Sequence, residues 1–131
     1  WTQRAKLLAT DGAADDNFGR SVAVDGDTMV IGAIEDDDNG GDSGSAYIFT
    51  RDAAGSPTAS WTQRIKLLPA DGAAVDWFGY SVAIDGDTVV VGANRDDDKG
   101  TDSGSAYVFT RDVAGDLTAS WTQRAKLLAT D

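Results

Sequence analysis

Carboxylates dominate the polar chemistry of this chain, and they come in clusters. Asp36, Asp37, Asp38, Asn39 and Asp42 lie close together, and Asp96, Asp97, Asp98, Lys99 and Asp102 repeat the pattern further on. Closely spaced carboxylates repel one another, and a hard divalent cation relieves that repulsion. Asp36, Asp38, Asp42, Asp96, Asp98 and Asp102 are therefore candidate Ca²⁺ ligands. The spacing is not that of an EF-hand, because the fifth position counted from Asp36 or Asp96 is Gly40 or Gly100 and no bidentate Glu follows. Lys99 and Arg95 also add positive charge to the second loop. The competing reading is a solvated acidic loop whose Asp side chains cap turns. Asp11, Asp15, Asp16, Asp71 and Asp76 form a further set, which reads as turn caps.

The rest of the composition narrows the chemistry. The chain has 131 residues, no Cys and no His, and a formal net charge of −11. A thiol nucleophile, a Ser-His-Asp triad, a thiolate zinc site and an imidazole base are all excluded, so any metal site must be built from oxygen. Paired Asp carboxylates can serve glycoside hydrolysis, but apart from Asp15 each clustered Asp has a twin in the other copy of its loop, and repetition signals scaffold rather than a catalytic centre. The sequence therefore reads as no enzyme. Its acidity opposes binding to nucleic acid or to anionic lipid, and no apolar run is long enough to span a membrane. The chain starts at Trp1 without an initiator Met or a signal sequence and is expected to be an excised or processed segment.

The elements that must position these residues follow from an internal repeat. Aligning residues 1–60 with 61–120 without a gap gives 43 identical positions, and residues 121–131 repeat residues 1–11 letter for letter. Val24 becomes Ile84, Met29 becomes Val89, Ile31 becomes Val91 and Ile48 becomes Val108, volume-conserving swaps that suit buried strand sites. Of the 22 acidic residues only Glu35 is not Asp, which favours turns over helices. Four strands are predicted per period: Ser21 to Asp25, Thr28 to Ala33, Ser45 to Arg51 and Trp61 to Leu67, with an Asp25-Gly26 hairpin joining the first two. Strict alternation along the fourth puts Trp61, Gln63, Ile65 and Leu67 on a covered face and Thr62, Arg64 and Lys66 on a wet one.

The predicted fold is all-β, with β-propeller blades of four antiparallel strands, about 60 residues per repeat, and an incomplete ring in one chain. Residues 1–11 are expected to be the outer strand of a preceding blade, 12–70 the first blade and 71–131 the second. The chain is then either a fragment of a longer array or a protomer of an assembly.

Several spaced motifs carry a family resemblance: Phe18-Gly19 and Phe78-Gly79 before the first strand, Gly32-Ala33 and Gly92-Ala93 ending the second, and Gly44-Ser45-Ala46-Tyr47 and Gly104-Ser105-Ala106-Tyr107 opening the third. On these the chain resembles the FG-GAP repeat family, the blades of integrin α-like propellers. The resemblance implies a non-catalytic extracellular or cell-surface module that mediates adhesion or recognition of a protein or cell-surface ligand through its blade loops. The alternative is a structural repeat protein that self-assembles blade to blade, as a homo-oligomer, into a ring or fibre. The family's calcium loop lies between the first and second strands, where this chain has only Asp25-Gly26-Asp27 and Asp85-Gly86-Asp87, too short to wrap the ion. Trp1, Trp61 and Trp121 recur with the period and read as packing residues. Trp77 and Tyr80 replace Asn17 and Arg20 of the first copy, so they are the candidate ligand surface.

Overall fold

A computed structural model describes residues 1–130 as eight strands in two four-stranded antiparallel sheets. Blade 1 holds β1 (Phe18–Asp25), β2 (Thr28–Ala33), β3 (Ser45–Arg51) and β4 (Trp61–Leu67). Blade 2 holds β5 (Phe78–Asp85), β6 (Thr88–Ala93), β7 (Ser105–Arg111) and β8 (Trp121–Leu128). Each blade is a meander in sequence order, the shortest route for an antiparallel sheet. The all-β expectation and its blade organisation hold, and the two blades do not close into a ring.

Three strands per blade fall where alternation and turn residues place them. The first starts earlier, at Phe18, because Gly19 with φ +93° forms a bulge that lets Phe18 pair with Ala33 before the ladder resumes at Ser21. Residues 1–9 carry no strand pairing, and Trp1 is fully exposed. The expected outer strand at the start of the chain has no third-strand neighbour there to supply its hydrogen bonds. Leu7 and Ala9 instead pack against one side of blade 1.

The outer strand also departs from strict alternation. The register between β3 and β4 shifts between Ile48 and Phe49, so that Ile48 opposes Ile65 while Phe49 opposes Gln63. One extra residue reverses which side the following chain presents. Trp61 thus packs with Tyr47 and Phe49, whereas Ile65 and Leu67 join Val30 and Ile48 on the opposite side. Lys66, expected in water, lies opposite Tyr47 and is largely buried.

The core sits where the blades stack. Val30, Ala46 and Ile48 of blade 1 meet Val89, Val91, Tyr107 and Phe109 of blade 2 in one cluster, with Val82 and Ile84 of β5 at its margin. The chain is closest at the Phe78-Gly79 edge. Phe78 N–H donates to the Ser43 carbonyl at 3.0 Å, and Ser21 Oγ donates to the Gly79 carbonyl at 2.7 Å. A Cβ on Gly32 would strike Gly79 backbone and one on Gly44 would strike Phe78 backbone, so both positions require glycine. Arg111 Nη2 donates to Thr28 Oγ1 at 2.9 Å, Thr50 Oγ1 to the Leu117 carbonyl at 3.0 Å, and Gly86 N–H to Asp25 Oδ2 at 2.7 Å.

Candidate functional site

Two arrangements gather the polar chemistry. The first is a carboxylate cluster in each blade, built around a lysine. The Lys66 ammonium lies 2.9 Å from Asp11, 2.7 Å from Asp36 and 2.7 Å from Asp38. Lys126 repeats this with Asp71, Asp96 and Asp98, each at 2.7 Å. The Tyr47 hydroxyl is shared between Asp36 and Asp11 at 3.0 and 3.1 Å, and Tyr107 does the same with Asp96 and Asp71 at 3.0 Å. Three chain segments are thereby tied together: the approach to Phe-Gly, the loop after the second strand, and the outer strand.

The electrostatics agree with this geometry. Burial works against the charge on Lys126, but its bonds to Asp71, Asp96 and Asp98 outweigh it and hold the ammonium protonated well above the ordinary lysine value. Lys66 is held the same way by Asp36, Asp38 and Asp11. Burial pushes the Tyr47 hydroxyl up to about 12, and Tyr107 up as well. Bonding to Lys66 lowers Asp11. Asp71 and Asp96 are lowered too, because Lys126 overcomes the burial that would raise them.

The loop carboxylates predicted from sequence divide by role. Asp36, Asp38, Asp96 and Asp98 enter the lysine clusters. Asp42 and Asp102 stay outside them, at φ 55° and 53°, where their N–H groups donate to Asp37 and Asp97 at 2.8 and 2.7 Å. Asp16 and Asp76 cap turns by accepting from Ala13 and Ala73 N–H at 2.6 and 2.7 Å. Asp71, Asp96 and Asp98 can each bring an oxygen within 4.8 Å of the others, a spacing that can hold a metal ion. The cation among them is the Lys126 ammonium. The β1–β2 and β5–β6 hairpins do not fit calcium either. Asp27 accepts from Gly55 N–H and pairs with Arg51 at 3.1 Å, Asp87 does the same with Gly115 and Arg111, and Asp25 accepts from Gly86.

The second arrangement occurs once. Trp77 and Tyr80 flank the Phe78-Gly79 edge and stack with centroids 6.2 Å apart and planes 12° from parallel. The Arg95 guanidinium lies 3.7 Å from the Trp77 ring centroid, and that of Arg20 lies 4.7 Å from the Tyr80 centroid. The result is a four-membered ladder, Arg20–Tyr80–Trp77–Arg95, crossing from blade 1 to blade 2. Neither arginine is within ion-pair distance of a carboxylate among the described residues. Sequence reasoning singled out Trp77 and Tyr80 but not the arginines. The missed signal was coupled change: in repeat one Asn17 Nδ2 donates to Glu35 at 2.6 Å, and in repeat two those positions are Trp77 and Arg95.

Stacked four-stranded blades tied by Phe-Gly edges define a β-propeller-like module. The FG-GAP repeat model matches residues 1–49 and 61–109, and the chain belongs to the FG-GAP repeat family. That family is one of non-enzymatic β-propeller repeats and occurs in extracellular proteins. No curated protein matches the sequence. No helix among the described residues is long and apolar enough to cross a membrane.

Proposed function

We propose that the chain is a non-catalytic recognition module of an extracellular or cell-surface β-propeller, and that it holds a carboxylate-bearing protein partner at the Arg20–Tyr80–Trp77–Arg95 ladder. The ladder carries this reading. Each ring stacks on the other and also carries a guanidinium near its centroid, so both rings are engaged within the ladder. The guanidinium edges remain as hydrogen-bond donors in the geometry that matches a carboxylate. In a chain of net charge −11, the ladder brings two arginines that lie outside ion pairs to one edge. Trp77 Nε1 is also buried without a hydrogen-bond partner, a cost on the order of 1–3 kcal/mol that packing alone does not call for.

Calcium has no part in this reading, since lysine ammonium groups stand among the carboxylates that would hold it. A second role, assembly of blades into a ring or fibre, is favoured by the open side of blade 2, which repeats the residues that receive Phe78-Gly79 in blade 1.

The test is an array of acidic, neutral and basic peptides probed with the chain and with Arg95→Ala and Trp77→Ala. Preference for acidic peptides, weakened about tenfold by either change, is expected from loss of a charge-assisted hydrogen bond. Binding that ignores both changes, or no preference for acidic peptides, would refute the ladder as the recognition surface.

A further inference from the structure

We propose that the open side of blade 2 receives a second copy of this chain through that copy's Phe18-Gly19 edge, so that chains join head to tail by repeating the junction between blades 1 and 2. The intramolecular junction shows what each half looks like when filled. On the acceptor side, Ser21, Thr28, Val30, Gly32 and Ile48 become Ser81, Thr88, Val90, Gly92 and Val108. Val30 and Ile48 are fully buried, whereas Val90 and Val108 are half-buried and Thr88 is exposed. Gly104, which corresponds to Gly44, meets only its own chain's Asn94 and Ala93, and a groove opens between Ser81, Gly92, Ser103 and Gly104.

The donor side is present and preformed at the other end of the molecule. Val22 and Val24 are 68% and 60% exposed, although their counterparts Val82 and Ile84 pack into the inter-blade core. Asp15, Asn17 and Gly19 hold φ of 70°, 54° and 93°, against 70°, 57° and 91° at Val75, Trp77 and Gly79. Phe18 sits edge-to-face on Tyr47 at 5.4 Å, as Phe78 sits on Tyr107 at 5.3 Å.

The contacts that would be repeated are mostly backbone, so the differences between repeats do not forbid them. In the existing junction Val75, Trp77 and Phe78 N–H donate to the Gly41, Asp42 and Ser43 carbonyls at 2.8, 3.3 and 3.0 Å. Asp15, Asn17 and Phe18 of the incoming copy would donate to Thr101, Asp102 and Ser103. Trp1–Leu8 and Trp121–Leu128 share one sequence, and the junction has room for one of them beside β7. Trp1–Leu8 makes no strand pairing, so it can give way without breaking a ladder. A head-to-tail contact of this kind is heterologous and can propagate or close.

Two substitutions block opposite halves. A Cβ on Gly92 meets only the rotatable Ser81 hydroxyl and Ser81's own atoms in the single chain, yet would occupy the place of an incoming Gly19 carbonyl. Val24→Asp puts a charge on an exposed donor position. Sedimentation velocity from micromolar to millimolar, at physiological ionic strength to screen the net charge, is expected to show mass rising with concentration for the wild-type chain. Each variant alone should weaken association at least tenfold with unchanged circular dichroism. Mixed together they should form a dimer that grows no further, because each keeps one working half. If Gly92→Ala does not fold, Val24→Asp mixed with wild-type chain still tests the junction, since it should cap growth. A wild-type chain monomeric throughout, or association indifferent to the folded variants, would overturn the proposal. Arg95→Ala lies outside these contacts and should leave association intact, so the ladder and the junction fail separately.

Discussion

Blade 1 and blade 2 agree at 43 of 60 aligned positions, yet equivalent residues meet different surroundings. Lys66 and Lys126 stand in nearly superimposable carboxylate clusters, and Phe18 and Phe78 make the same aromatic contacts. Those features lie within one blade and its approach segment, so each repeat rebuilds them alone. Gly32 is jammed against Gly79 backbone, whereas Gly92 faces only the rotatable hydroxyl of Ser81; Val30 is buried, whereas Val90 is half-buried. These depend on a neighbouring blade. The difference separates what a repeat specifies by itself from what only stacking completes.

The largest expected effect breaks the comparison at the aromatic edge. Phe78 is fully buried between Tyr107, Phe109 and blade 1, and Phe78→Ala should cost about 4 kcal/mol as a large-to-small core change. Phe18 makes the matching ring contacts but is half-buried, so Phe18→Ala should cost about half as much by the same reasoning. Urea unfolding of the two variants reads the gap, and equal losses would mean that the inter-blade contact adds nothing.

A smaller effect is expected at the lysine clusters, where the blades should behave alike. Lys126→Met leaves Asp71, Asp96 and Asp98 facing one another without a counter-charge and should cost about 3 kcal/mol, the low end for a buried pair because two of the carboxylates are half exposed. Calcium should raise the melting temperature of this variant and not that of the wild-type chain. Asp71 and Asp96 are held below the ordinary carboxylate value of 3.8, so the folded chain binds fewer protons there than the unfolded one. The resulting stability is present above that value and is lost as pH falls through the folded values. Asp76, raised by burial, acts in the opposite sense. Acid titration of stability should therefore be flatter in Lys126→Met than in the wild-type chain, and parallel curves would contradict the assignment.

The strand pattern was legible because period-two alternation and Asp-Gly turns are local, and β2, β3 and β4 fall on the residues those signals mark. Lys66 was not, since a single bulge beside Ile48 reverses the alternation it was read from, and bulges leave no periodic trace. The acidic loops were visible as clusters, but their counter-charge comes from a different strand, at a distance no loop spacing encodes. The ladder was half visible: Trp77 and Tyr80 stood out against Asn17 and Arg20, while Arg95 required noticing that positions 77 and 95 change together. Residues 1–9 match an outer strand in sequence and still form none, because strand pairing needs a partner that sequence identity does not supply.

The most direct test of the stacking account sets Gly32→Ala beside Gly92→Ala in dilute solution, with unfolding followed by urea. The same substitution is made at the same place in two near-identical repeats. Gly32→Ala drives a methyl group into the Gly79 backbone and should cost about 3 kcal/mol or more, the upper end for overpacking, while Gly92→Ala should change stability by less than about 1 kcal/mol. Equal costs at the two positions would contradict the claim that blade 2 presents, open, the surface that blade 1 has filled.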